Sequence, residues 1–264
     1  MRWPTAGARP ERTIVTIQII PAPVVRQTWI DPFAGGTEIR ALHSFRLAHT
    51  ENPEEGFAVQ ILGRPSGTSV LVSSEIAELE GVRQSTSEAE LRAALTAAGI
   101  EMNGADHLFF LPDVRKQEVR AADDAPHVRR LTADDEGLFE AFVASAPEAD
   151  VDEAWVELDQ WVVFGAFDGD LLVAAGSALP FREDSLLADI GVLTLPSHRG
   201  QGHARAIVLA LARHALAEGY EPQYRCQLEN TSSVILAERS GFLSIGTWDV
   251  PLPAEDDDED EDED

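Results

Sequence analysis

The sequence predicts an α/β protein (α+β, built on a mixed sheet), and three observations predict it. An apolar run, 187–195, breaks at Pro196 into a glycine-bearing turn that opens directly into a long alanine-rich amphipathic stretch. Segments of strand character alternate with segments of helical periodicity along the chain. Gly, Pro and an Asp-Gly pair punctuate the boundaries between them.

The elements follow in order. Ile14–Ile20, Gly56–Leu62 and Thr68–Val72 have strand character, rich in Val and Ile. Ser87-x-x-Glu90 has the form of a capping box opening a helix over Ala89–Ala98, with Gly99 behind it. His107–Pro112 closes this half as a strand, and the charged, alanine-rich stretch Asp113–Pro126 reads as a linker. Val128–Leu131 begins the second half as a strand, and Thr132 is placed to cap a helix through Leu138, Phe139 and Phe142. Val162–Phe167 and Leu171–Ala175 flank Asp168-Gly169 as a β-hairpin. The strand Leu187–Leu195, the helix Ala204–Glu218 with Gly219 behind it, a short strand Gln223–Leu228, and a helix from Asn230 to Gly241-Phe242 complete the order.

Strand, glycine turn and helix N-terminus together make an anion site. Glycines let backbone N–H groups approach phosphate oxygens, and the positive end of the helix dipole favours negative charge. Two familiar phosphate loops do not fit. A Walker A loop needs a Lys-Ser/Thr pair after its glycines, and none is present. A dinucleotide fingerprint needs a third glycine where Arg205 stands.

What remains, Arg199-Gly200-Gln201-Gly202-His203-Ala204, matches R-x-x-G-x-A and resembles the pyrophosphate-binding arm of the GNAT superfamily of acyl-CoA-dependent N-acyltransferases. A second signature lies downstream in the right order, an Asn (Asn230) ahead of a helix that ends in Gly241-Phe242. The resemblance covers residues 127 to 250. It implies a GNAT acyltransferase fold at 127–253, preceded by a smaller α/β domain at 1–126 of the kind found in larger bacterial members, with a degenerate half of the same fold as one reading. That domain is expected to help wall the acceptor site.

Composition excludes several classes. The net charge is −27, and the unbroken acidic run 255–264 accounts for ten of those charges. The remainder is still acidic, which argues against a nucleic-acid partner. The tail, 254–264, has nothing to bury and is expected to be disordered. No run of 18 apolar residues suggests a membrane span, and the N-terminal stretch makes a poor secretory h-region, so a cytoplasmic location is expected. The single cysteine, Cys226, excludes an internal disulfide and a multi-cysteine metal site.

The resemblance implies attack of a primary amine on acetyl-CoA, held as a cosubstrate, with no metal. Gln201, Gly202, His203 and Ala204 would hold the pyrophosphate through backbone N–H groups, helped by Gly200 and the charge of Arg199. Val192, Leu193 and Thr194 would pair with the pantetheine, and a backbone N–H there would face the thioester oxygen. Asn230 would contact the same arm or cap its helix, with Ser233 one turn on. For the base that takes the amine's proton, Asp189 stands first because it interrupts an apolar strand, Glu157 second between Trp155 and Trp161, and Glu229 third. Many relatives carry a tyrosine seven residues after the Asn as the acid for the departing thiolate. Here that position is Ala237, leaving Ser233, water, unaided departure, or Tyr224. Cys226 is not read as an acyl-enzyme nucleophile, and His198 and His203 are read as arm residues. The acceptor is expected to be a small-molecule amine, with a peptide N-terminus or a non-catalytic acyl-CoA-binding module as rivals and a homodimer left open.

Overall fold

The computed structural model describes residues 21–54, 56–182 and 185–253. The strand expected at 14–20 and the acidic tail lie outside the described residues. Strands β1 (Thr37–Ala41), β2 (Phe45–Thr50), β3 (Val59–Arg64), β4 (Gly67–Ser73), β5 (Asp106–Phe110), β6 (Val128–Arg130), β7 (Val162–Asp168), β8 (Leu171–Pro180), β9 (Leu187–Thr194), β10 (Glu221–Gln227) and β11 (Leu243–Asp249) form one mixed sheet. Its spatial order is β1-β2-β4-β3-β11-β5-β10-β9-β8-β7-β6.

That order crosses the expected boundary at residue 126. β5, from the first half, lies between β10 and β11 of the second and pairs antiparallel with both. β11 in turn pairs with β3. The halves share one sheet, so the chain boundary is not a break in the structure. Two strands, β1 and β2, carry weaker apolar alternation than β3 and β4 and are not evident from the sequence pattern.

Helices cover both faces. One face buries Ile190, Phe109, Tyr224 and Phe242 under α5 (Asp113–Ala121), α8 (His203–Ala217) and α9 (Thr231–Ser240). Further along that face, Val59, Ile61, Val70 and Val72 sit in the cluster completed by Ala77, Val82, Leu91 and Leu95 of α2 (Ser74–Ala77), α3 (Glu80–Gln84) and α4 (Glu88–Ala97). On the opposite face, α1 (Pro23–Trp29) places Val25 and Trp29 against Leu62, Leu108, Leu187 and Trp248. There α6 (Glu136–Val143) also brings Phe139 and Phe142 against Leu172 and Leu193, with α7 (Glu148–Ala154) beside it. Each strand alternates between these clusters, which is the period-two pattern of a sheet buried on both sides.

The linker expected at 113–126 is largely helix α5. Its charged composition hides a buried ion pair, Lys116 Nζ to Glu221 Oε1 at 2.6 Å, and Arg213 of α8 donates to the Val119 carbonyl at 2.9 Å. A paired lysine reads as solvent-facing in sequence although it is buried here. Thr132 and Asp135 form a reciprocal capping box at the entrance to α6, as the sequence suggests. Among the described residues no helix is long and apolar enough to cross a membrane.

Candidate functional site

β9 and β10 run parallel and pair only from Leu187–Asp189 to Glu221–Gln223. Beyond Asp189, β9 remains paired with β8 alone as far as Thr194. Beyond Gln223, β10 remains paired with β5 alone. The strands therefore part like a V, and each presents an unpaired backbone edge to the gap. A cavity of about 850 Å³ fills that gap and continues to the N-terminus of α8.

Ile190 to Thr194, Val192, Leu193 and Thr194 among them, line one side of the cavity. The chain then turns at Pro196–His198 into the arm. Gly200 and Gly202 have φ of +77° and +92°, the left-handed region that L side chains resist, and nothing lies within 4 Å of where a Cβ would stand. Gly202 is the N-cap of α8 and no side chain caps that helix. The N–H groups of its first turn, which have no intrahelical partner, belong to Gly202, His203, Ala204 and Arg205, all of which line the cavity. Gly200 and Arg199 line it too. Arg199 donates to Asp150 Oδ2 at 2.7 Å and to the Thr194 carbonyl at 3.3 Å, tying the arm to α7. Gln201 is not among the lining residues; its side chain turns back to the Ser197 carbonyl at 3.3 Å. Burial, with His127 and His198 alongside, holds His203 below the usual histidine range.

Asn230 caps its helix and also lines the cavity. Its Oδ1 accepts from the Ser233 N–H at 3.0 Å and caps α9, while its Nδ2 donates to Glu153 and the residue lines the cavity. Ser233 lines the cavity one turn on. Tyr224, 3% exposed, lines it from β10. Burial pushes its phenol up to about 12, against the pull of the Ser233 side chain. Ala237, on α9, is fully buried. Burial, reinforced by Asp106 and Glu153, pushes the Cys226 thiol up to about 12, which keeps it from acting as a thiolate nucleophile.

The carboxylates expected as bases fare differently. Asp189 lines the cavity, but both its oxygens are engaged: Oδ2 accepts from Arg225 Nη2 at 2.6 Å and Nε at 3.0 Å, and Oδ1 accepts from Gln223 Nε2 at 3.3 Å. The first choice of base is thus a cavity-lining carboxylate held by Arg225 and Gln223. Glu157 and Glu229 are exposed and outside the lining, so neither is in position. Of the Trp155–Trp161 segment only Trp155 lines the cavity, while Trp161 packs on Tyr220 with ring centroids 4.7 Å apart.

Sequence reasoning missed the opposite wall. Asp150 and Glu153, one turn apart on α7, line it with Trp155, Asp106, Arg225 and Gln227. Trp155 is 60% exposed and holds φ +43°, the only non-glycine with positive φ among the described residues. It ends α7 in a left-handed turn, and the Ala154 carbonyl just before it rests on Gly191, where a Cβ would come within 2.4 Å. Gly191 is therefore needed for α7 to reach the sheet. Arg205 and Arg239, joined by Arg205 Nε to the Arg239 carbonyl at 2.8 Å, add cations beside the arm.

Residues 130–242 match the model of the Acetyltransferase (GNAT) family. Similar solved structures include a putative GNAT acetyltransferase from Novosphingobium aromaticivorans (19% identity, 58% of this chain and 64% of that one, TM-score 0.44). Another is a GNAT acetyltransferase from Colwellia psychrerythraea (19% identity, 62% and 63%, TM-score 0.45). A third is an aminoglycoside N-acetyltransferase in complex with CoA (20% identity, 45% and 92%, TM-score 0.36). This chain covers less than two thirds of the first two proteins. No curated protein matches it. Residues 130–242, fewer than half of the chain, are thus similar to the GNAT family of acetyltransferases.

Proposed function

We propose that the protein transfers the acetyl group of acetyl-CoA to a primary amine of a small molecule by direct attack. One observation carries the reading: the open edge of β9 and the uncapped N-terminus of α8 line a single cavity, with left-handed glycines between them. The first turn of α8 offers several unpartnered N–H groups and a positive dipole end to a diphosphate, and Arg205 and Arg239 add charge. The β9 edge offers alternating N–H and C=O groups to an amide-bearing pantetheine arm. A β9 N–H is also a fixed donor for oxygen charge as the thioester carbonyl becomes tetrahedral.

In the reaction the amine nitrogen forms a C–N bond to the thioester carbon. The C–S bond breaks and its electron pair leaves on sulfur. A thiolate whose conjugate acid has a pKa near about 8.5 departs without an obligatory protein acid at neutral pH. Position 237 is alanine, and Ser233 and Tyr224 are among the hydroxyl side chains lining the cavity into which that sulfur would leave. The alanine also favours a second reading, a non-catalytic acyl-CoA-binding module. Thiol release from acetyl-CoA across a panel of amines decides between them. Turnover with any amine, lost in Gly202→Glu, supports the transferase; calorimetric binding of acetyl-CoA with no turnover favours the binding module. Acetylation of peptides but of no small amine would move the acceptor to a protein N-terminus.

A further inference from the structure

β5 lies outside the family-matched segment, yet its position between β10 and β11 brings its first residue, Asp106, into the cavity wall. Asp106 Oδ2 lies 3.2 Å from Arg225 Nη1. The same guanidinium gives its Nε and Nη2 to Asp189 and stands over the rings of Phe181 and Trp248, at 5.0 and 6.0 Å from their centroids. One cation is thus shared by two carboxylates, and Asp189 holds the larger part of it. Asp189 is further bound by Gln223, whereas Asp106 meets Arg225 through a single oxygen. The neighbouring carboxylate of β11, Asp249, has its own cation in Arg92 at 2.5 Å.

The surplus negative charge therefore sits on Asp106, whose side chain is 18% exposed. A half-buried carboxylate with an incomplete partner is costly, and the cost is relieved by a cation or a proton. Burial raises the Asp106 carboxyl above the usual range, against Arg225, and Asp189 and Asp249 add to the rise. The charge of Asp106 also reaches Cys226.

Granting the acetyltransferase reading, we propose that Asp106, delivered by the first half of the chain, receives the acceptor's ammonium group and takes its proton before attack, and that the acceptor is a cationic amine. One N–H bond of the ammonium breaks and its proton moves to an Asp106 oxygen. The freed lone pair forms the C–N bond as the C–S pair leaves on sulfur. The nitrogen's second proton passes through solvent to the thiolate. Arg225 and Asp189 act as positioning residues, holding the accepting oxygen in place.

The test uses the full chain with spermidine, tryptamine and glucosamine as probe amines, from about pH 5 to about pH 9, with acetyl-CoA binding followed in parallel by thermal shift. Asp106→Asn is expected to bind acetyl-CoA within about twofold of the parent and to lose about 100-fold in kcat/KM. It is also expected to lose the rise in kcat/KM that accompanies ionisation of the carboxylate. The groups facing that carboxylate are Asp189 on β9, Arg225 and Cys226 on β10 and Asp249 on β11, so Asp189→Asn is run beside it and is expected to shift the rise without removing it. Asp106→Glu keeps a carboxylate and is expected to keep the rise at reduced kcat; it carries the test if the Asn variant does not fold. A parental rate and pH profile in Asp106→Asn overturns the proposal and leaves the transferase reading intact. A parent that binds acetyl-CoA but neither acetylates nor binds any probe overturns the proposal as well. A parent unmoved by acetyl-CoA sinks the underlying reading instead.

Discussion

Along β9 and the first turn of α8 the cavity is lined by main chain: an open strand edge, two left-handed glycines and uncapped N–H groups. Across from it, along β5, β10 and α7, the cavity is lined by charged side chains, and Asp106 and Arg225 are 119 residues apart in sequence. The first wall is local and offers one backbone geometry. The second is assembled from distant segments, so its chemistry is set one residue at a time. A common donor and a particular acceptor would call for this division, with a backbone frame on one side and side chains on the other.

The comparison breaks most readily at Gly202. Gly202→Glu forces an L residue into a φ of +92° and sets a carboxylate against the proposed phosphate position, with open space around it that lets the fold survive. Acetyl-CoA at about 100 times its dissociation constant should stabilise the parent by about 2.7 kcal/mol. The variant should show no thermal shift at the same concentration, a loss of at least about 100-fold in affinity.

Gly191→Val tests how the walls are joined. Its Cβ would fall 2.4 Å from the Ala154 carbonyl, so α7 must move off the sheet. A cost of about 2 kcal/mol is expected for such overpacking, read as a lower Tm, together with weaker amine use and less affected acetyl-CoA binding. A variant with parental Tm and kinetics would show that α7 does not set the second wall.

Tyr224→Phe is expected to lower kcat by less than about tenfold, because a thiolate leaves unaided near neutral pH and burial keeps the phenol protonated. A larger loss, with KM for acetyl-CoA unchanged, would make that hydroxyl the acid the helix lacks.

The smallest effect is expected away from both walls. Arg129, with the Thr132 N–H, holds the Asp135 carboxyl down to about 2 from 3.8. A depressed carboxylate contributes stability above its unfolded value, and the contribution fades as pH falls from about 3.8 through about 2. After allowance for solvent screening, Asp135→Asn should cost about 1 kcal/mol at pH 7 and lower Tm by about 2 °C. The difference should close in acid; one that persists there would assign the loss to packing.

The same contrast explains what the chain disclosed in advance. Gly200, Gly202 and the apolar strand before them are contiguous, and a positive φ at a helix entrance is a local demand that only a few residues meet, so the arm was readable. Asn230 was readable for the same reason, as a cap. Asp189 was singled out correctly as an interruption of an apolar strand, but its partner Arg225 lies 36 residues away, and no local pattern announces that a carboxylate is already bound. The insertion of β5 was hidden more deeply. His107–Pro112 reads as a strand in isolation, and nothing in its own composition says which two later strands it will separate. The helix at 113–121 was concealed by charges that the fold neutralises inside.

The placement of β5 also bears on how the chain is made and how it can be divided. The ribosome produces this strand long before β10 and β11, the two it must join, so the sheet can close only after the last strand has emerged. Until then β5 carries two free edges that would recruit neighbouring chains. Cleaved in the stretch between α5 and β6, the protein should behave as a split pair, in which a fragment ending near residue 126 restores its companion by strand addition.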